Sequence, residues 1–482
     1  MSEAKSVTKK ELKEFFYNVE STYKSCWDVL EGLDKSSLKI NSFTNFQAEL
    51  ARSLLEISNL YKRISLSKKE LIIKKDSYSE DWFSSKMNSI KKIQNSLREL
   101  SAIGKVLGDC FTWIFYNSSR DLLSRHYENP VQKMMPSGIG GLGEVSFIEN
   151  VKVLNNHLVI FHGITSYLRL GDFSFFDLKE QKIVATAELK TKKSSKNTLD
   201  LKLVTVAKQK ESLDFIVDQN EKAPKNYLHF EKESNSEFQK KIELKLNKQL
   251  KKIGQLEDDI VPDRKLNFER SDKTNKYSEL YYSIQKKKAV FEVLSDDLAI
   301  FGIKIFQRSL YKKFNQGTEY LKIQIEKMAK ELEKSVDSII LKDSIYNSFL
   351  IGYPFNFDEN YNLEYGMSPI FFRFSNKSLV RDIIFRDVIF VTVYNPAHFL
   401  ETLIEKGFSI KKTVNGKGYE VTKKLSFGVV KIEGLMNLMR LIPKSNFSKD
   451  EVLDLIERTI EVATKNKQKG DIIVNMDIRS YN

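Results

Sequence analysis

Between Asn129 and Gly143 the chain reads NPVQKMMPSGIGGLG, and the hydrophobic residues on its two sides repeat with different periods. Upstream, Ile90, Ile93, Leu97, Leu100, Leu107, Phe111 and Ile114 recur at three- and four-residue steps, the spacing of one helix face. Downstream, short runs alternate apolar and polar residues, the spacing of a half-buried strand. A pattern of one period cannot bury a single face in the other conformation, so the chain must combine a helical part with a sheet-bearing part. The proline and glycines between them break both periods and suit a flexible junction.

At 482 residues the chain exceeds what one ordinary core accommodates, which predicts a multidomain α and α/β protein. Residues 1–135 are expected to form a helical domain. Residues 136–310 are expected to form an α/β core carrying a charged helical insertion at about 209–287. Residues 311–482 are expected to form a helix followed by a small α+β domain. In the insertion, Ile242, Leu246, Leu250 and Ile253 would line one stripe of an exposed arm, and Leu321 to Ile339 repeat in the same way near 318–340. Such stripes suit self-association or a partner subunit. Gly104 and Gly108, four apart, would open one helix face to a close crossing. In the last third DVIFVTVYN reads as a strand, Asn415-Gly416 as a hairpin turn, and Ser448 with Glu451 as a capping box.

The 78 Lys and Arg against 64 Asp and Glu give a net charge of +14, which favours a polyanionic partner such as nucleic acid. The only two cysteines, Cys26 and Cys110, form no CxxC pair, which argues against a disulfide scaffold or thiolate zinc site. No window approaches the run of roughly 18 apolar residues that a membrane-spanning helix needs. The MSEAKSVTKKELKEFF start lacks a signal-peptide core, and a cytoplasmic protein with no membrane partner is expected.

The chemistry-bearing stretch runs from Gly143 to Lys193. Leu170 to Leu178 and Ile183 to Thr191 are two strand-like runs joined by Lys179, Glu180, Gln181 and Lys182, a polar connection suited to a hairpin. Phe173 and Phe175 would share one buried face with Ala185, Ala187 and Leu189. Asp172, Glu188 and Lys190 would then share the other face. A register in which paired residue numbers sum to about 360 sets Asp172 opposite Glu188. Facing carboxylates repel unless a cation sits between them, and oxygen donors suit Mg²⁺ or Mn²⁺. A lysine two residues on, pointing the same way, can balance the acids and steady charge developing on a phosphodiester.

A glycine-preceded Asp, Gly171-Asp172, followed about sixteen residues later by Glu188-Leu189-Lys190 at a strand end, resembles the PD-(D/E)xK, or restriction-endonuclease-like, nuclease superfamily. The match covers about residues 140–210, and Gly171 stands where the family name has proline. The resemblance implies a restriction-endonuclease-like central core and metal-dependent hydrolysis of phosphodiester bonds, in DNA before RNA and in a setting of defence against foreign DNA. It implies that Asp172 and Glu188 bind the metal with the Leu189 carbonyl, that Lys190 assists the attacking water, and that Glu144, on a preceding helix, joins the site. Lys192, Lys193 and Lys196, just past the motif, would contact phosphates. Lys208, Gln209 and Lys210 stand where some members use a residue of the helix after the third strand.

Two other accounts of the same residues stay open: an ordinary salt-bridge cluster on an exposed sheet face, and a non-catalytic nucleic-acid-binding or scaffold subunit. Asp177 would lie on the wrong face in a shifted register. Gly138, Gly140 and Gly143 match G-x-G-x-x-G, but no strand precedes them, which argues against a nucleotide loop. The histidines at 126, 157, 162, 229 and 398 are scattered, and His162 reads first as a satisfied structural residue. No GxSxG elbow, Walker loop or HExxH occurs.

Overall fold

The computed structural model describes residues 7–32, 40–116, 134–151, 153–154, 157–177, 179–194, 198–205, 212–218, 274–295, 297–305, 309–314, 350–355, 369–412, 419–425, 428–445, 448–465 and 472–475, with residues 122, 123, 126 and 132. They form a mixed helix and sheet protein with an N-terminal helical region and several largely antiparallel sheets. The chain divides into two compact units: residues 1–265 with 309–311 and 363–373, and residues 266–308, 312–362 and 374–482. The arm at about 238–256 and the helix near 318–340 lie outside the described residues, as does the turn at Asn415-Gly416.

The first unit opens with helix α1 (Lys9–Glu31), α2 (Ile40–Ile73) and α3 (Glu80–Tyr116). Thr8 starts α1 with a capping box: its hydroxyl accepts from the Glu11 amide at 3.2 Å, and the Glu11 carboxylate accepts from the Thr8 amide at 2.7 Å. Every residue of α3 from Leu100 to Trp113 is buried, so this stretch is surrounded on all sides. Helix α4 (Ile139–Asn150) follows, then β1 (Val153–Leu154), β2 (His157–Phe161), β3 (Phe173–Asp177), β4 (Lys182–Lys193), β5 (Thr198–Thr205) and β6 (Ser212–Asp218). These six strands pair in sequence order, each antiparallel to the next.

Three expectations are corrected here. The helices and the sheet form one compact unit, not two domains parted near residue 135. Gln47 of α2, fully buried, donates to the Val159 carbonyl at 2.9 Å and accepts from the Phe161 amide at 2.8 Å, so a helix side chain completes the β2 ladder. Ring contacts then run from Phe46 to Phe111 at 4.7 Å, Phe111 to Phe115 at 5.2 Å and Phe115 to Phe176 at 5.1 Å. Second, two of the glycines after Pro136 are packing positions instead of a hinge: a Cβ at Gly141 would lie 1.9 Å from the Pro136 carbonyl and one at Gly143 2.0 Å from Thr191 Oγ1, while Gly138 and Gly140 face open space. Third, the element after β4 is an antiparallel strand, not the helix that the resemblance implies. Residues 212–218 of the expected helical insertion are strand β6, while 208–210 lie outside the described residues.

The second unit holds helix α5 (Thr274–Lys287), β7 (Ala289–Ser295), β8 (Leu298–Lys304), β9 (Leu350–Gly352), α6 (Lys377–Ile384), β10 (Val388–Tyr394) and α7 (Ala397–Glu405). It ends in β11 (Ser409–Lys412), β12 (Tyr419–Leu425), β13 (Gly428–Glu433), α8 (Leu435–Ser445), α9 (Lys449–Lys465) and β14 (Ile472–Asn475). One sheet runs β7-β8-β10-β9 and the other β11-β12-β13-β14. Strands β7 and β8, expected in the central domain, belong here because β8 pairs with β10 over seven residues. Ser448 and Glu451 form the capping box of α9, with bonds of 2.5 and 3.1 Å.

Candidate active site

Strands β3 and β4 pair Phe173 with Ala187, Ser174 with Thr186 and Phe175 with Ala185, a sum of 360 throughout, and the register shifts beyond Phe175. The backbone turns into β3 at Gly171, whose φ of +69° is open to glycine at little cost. A Cβ there would also lie 2.9 Å from the Ala187 carbonyl. Asp172 then donates its amide to the Ala187 carbonyl at 2.8 Å, one step ahead of the strand.

Its side chain bonds back to β4. Asp172 Oδ2 accepts from the Leu189 amide at 2.6 Å, so the carboxylate continues the ladder where the β3 backbone has turned away. Glu188 and Lys190 share one face of β4, and Lys190 Nζ donates to Glu188 Oε1 at 2.5 Å. Their side chains are only 14% and 24% exposed, which sets them apart from a solvated surface pair.

Glu144 comes from α4, which approaches β4 closely because residue 143 is glycine: a Cβ there would fall 2.0 Å from Thr191 Oγ1. Glu144 is buried. Burial, and then the charges of Asp172 and Glu188, hold its carboxyl well above the ordinary range against the pull of Lys105 and Lys190. Burial followed by Glu188 pushes Asp172 up to about 7, opposed by the Leu189 amide and Lys190. The three acids therefore share one electrostatic neighbourhood with too little cationic charge to neutralise them. Among the described residues no group of three His, Cys, Asp or Glu side chains is placed to hold a metal ion; Lys190 bonds Glu188 and the Leu189 amide bonds one oxygen of Asp172. Lys192 and Lys193 extend β4 as exposed residues, and Lys196 lies outside the described residues.

Five supporting residues escaped the sequence pattern or were given no role at the site. Buried Lys105 of α3 donates to the carbonyls of Gly163 at 2.6 Å and Thr165 at 3.2 Å, and burial lowers its ammonium to about 8. One turn on, Asp109 accepts from the Thr165 hydroxyl at 2.5 Å and from the Ser166 amide and hydroxyl, both at 2.6 Å. A lysine and an aspartate four apart inside the apolar run SAIGKVLGDCFTWIF were the available signal. Behind the Gly171-Asp172 turn a directed chain forms: Tyr116 donates to Ser174 Oγ at 2.7 Å, Ser174 donates to His162 Nε2 at 2.6 Å, and His162 Nδ1 donates to the Gly171 carbonyl at 3.0 Å. The carbonyl can only accept, which fixes the tautomer, and burial holds the ring neutral with a pKa near 4. His162 also donates its amide to the Asp172 carbonyl at 2.9 Å.

In comparison with known proteins, the chain matches no family model, no curated protein and no solved structure.

Proposed function

We propose that this chain is a metal-dependent nuclease that hydrolyses phosphodiester bonds, with DNA as the substrate. The observation that supports the reading is the electrostatic neighbourhood that Glu144, Asp172 and Glu188, from a helix, a turn and a strand, share, with Lys190 bonded to Glu188. An excess of half-buried carboxylates is costly, and it is the arrangement that a hard divalent cation relieves. The donor chemistry therefore fits Mg²⁺ or Mn²⁺. Asp172, Glu188 and Glu144, with the Leu189 carbonyl, would hold the ion, which supplies a Lewis acid and an acidified water when bound.

The chain's own groups do the rest. The Leu189 amide fixes Asp172 Oδ2, so the carboxylate is oriented before any ligand arrives. Lys190 balances Glu188 in the resting protein, and its ammonium donates to the charge that grows on the scissile phosphate. Lys192 and Lys193 lie along the same strand and would contact flanking phosphates. A second reading, a binding subunit without cleavage, draws on the same closed Glu188–Lys190 pair, which already neutralises one acid.

Incubation of plasmid DNA with the purified protein separates the two. Nicking or degradation is expected with Mg²⁺ or Mn²⁺, none with EDTA, and none for Glu188→Ala. Binding that is tight and indifferent to metal, with no cleavage and no calorimetric metal uptake, would leave the second reading.

A further inference from the structure

Helices α2 and α3 form an antiparallel hairpin whose two legs are pinned side to side. Arg98 donates to the Tyr61 hydroxyl at 2.7 Å and Gln94 to Ser65 Oγ at 2.9 Å, with Ile64, Leu71 and Ile90 buried along it. Beyond Leu71 the character changes, because every residue from Ile72 to Trp82 is exposed. Ile73 is 82% exposed and Trp82 46%. At this tip Tyr78 and Trp82 stack with ring centroids 4.4 Å apart and 27° between planes, and Lys75 Nζ lies 5.8 Å over the Phe83 ring. From Lys62 to Lys92 nine lysines and arginines stand against four acids, a net +5. Glu80 and Asp81 among those acids occupy the first turn of α3, where they serve the helix dipole.

We infer that the hairpin tip is a nucleic-acid contact that stacks an unpaired base on Trp82 and holds neighbouring phosphates with Lys74 and Lys75. The inference rests on the proposed function in taking nucleic acid as the partner, and it adds where and in what form the strand is held. Bases within a duplex are already stacked on one another, so an exposed aromatic pair gains most from an unpaired base. A protein partner would favour a continuous apolar patch depleted of lysine. Here Ile72 and Ile73 run directly into Lys74 and Lys75. From Trp82 to Lys105 α3 spans 23 residues, roughly 35 Å at the helical rise. The tip therefore reaches about one duplex turn from the candidate site, within the same compact unit.

The three tryptophans make this directly measurable, since Trp27 and Trp113 are 1% and 5% exposed and only Trp82 faces solvent. In EDTA, a 20-nucleotide single-stranded DNA should quench tryptophan emission, and a blunt 20-base-pair duplex should quench it far less. Trp82→Leu should lose the quench and bind the single strand about tenfold more weakly. Lys74→Ala with Lys75→Ala should flatten the salt dependence by ~0.7 in log-log slope for each phosphate that the variant no longer holds. All three residues are exposed, and circular dichroism checks that helix content is kept. Strand binding with Trp82 emission unmoved overturns the inference, and so does failure to bind either DNA. Emission that follows protein concentration instead, with self-association lost in Trp82→Leu on sedimentation, would overturn it too and make the tip an interface between copies. Glu188→Ala should keep the quench, and a parent protein that shows the quench but no cleavage with Mg²⁺ or Mn²⁺ refutes the nuclease reading and leaves this one standing.

Discussion

Each compact unit sets a lysine against a carboxylate, but the charge around the two pairs differs. In the second unit Lys313, its side chain 4% exposed, donates to Asp387 at 2.6 Å and to the Phe385 carbonyl at 2.9 Å. Asp382 lies in the same field with Arg381 and Lys304, so cations outnumber acids there. In the first unit Glu144, Asp172 and Glu188 share Lys190 and Lys105, and Lys105 also serves Asp109. A buried lysine with its carboxylate and carbonyl satisfied is a structural tie. An acid-rich cluster has no such justification in stability, and under the proposed function it is kept for a ligand.

The sharpest way to break this contrast is to remove each lysine. Lys190→Ala should cut cleavage on the order of a hundredfold or more, because it deletes a donor to the transition state. Folding and DNA binding should hold, since phosphate contacts are spread over many side chains. Wild-type rates in this variant would end the assignment of Lys190. Lys313→Ala should leave cleavage untouched and lower stability by about 1–3 kcal/mol, by stranding a carbonyl and an acid. Urea midpoints measure this, and an unchanged midpoint would deny the tie.

The smallest effect is a pH trend. A carboxyl raised to about 7 in the folded state contributes stability that is fully present below its unfolded pKa of 3.8 and is lost as pH rises through 7. Asp172→Asn does not titrate and keeps an acceptor for the Leu189 amide. In EDTA its stability relative to the parent should climb from pH 5 to pH 8, by on the order of 1 kcal/mol. A flat difference would mean that the acids are not crowded.

The region that carries this chemistry was legible because hairpins are local. Alternation placed Glu188 and Lys190 on one face, and a short connection set the sum of 360, so both follow from the residues between Leu170 and Thr191. The same holds for the helical period of α3 and for the Ser448–Glu451 cap. Residues 212–218 were lost to the helical reading because the charge-rich text around them masks a strand that only its pairing with β5 stabilises.

What the tertiary structure alone decided is which distant segments meet. Gln47 closes the β2 ladder from 112 residues away, Tyr116 reaches Ser174 across 58, and Lys105 reaches Gly163 across another 58. No local period encodes such contacts, because they depend on which apolar face packs on which. The sequence by itself determined the strand, the turn and the order of the acids. The electrostatic crowding of Asp172 came only with folding, when helices α3 and α4 enclosed the site and took away the water that would have screened its charges.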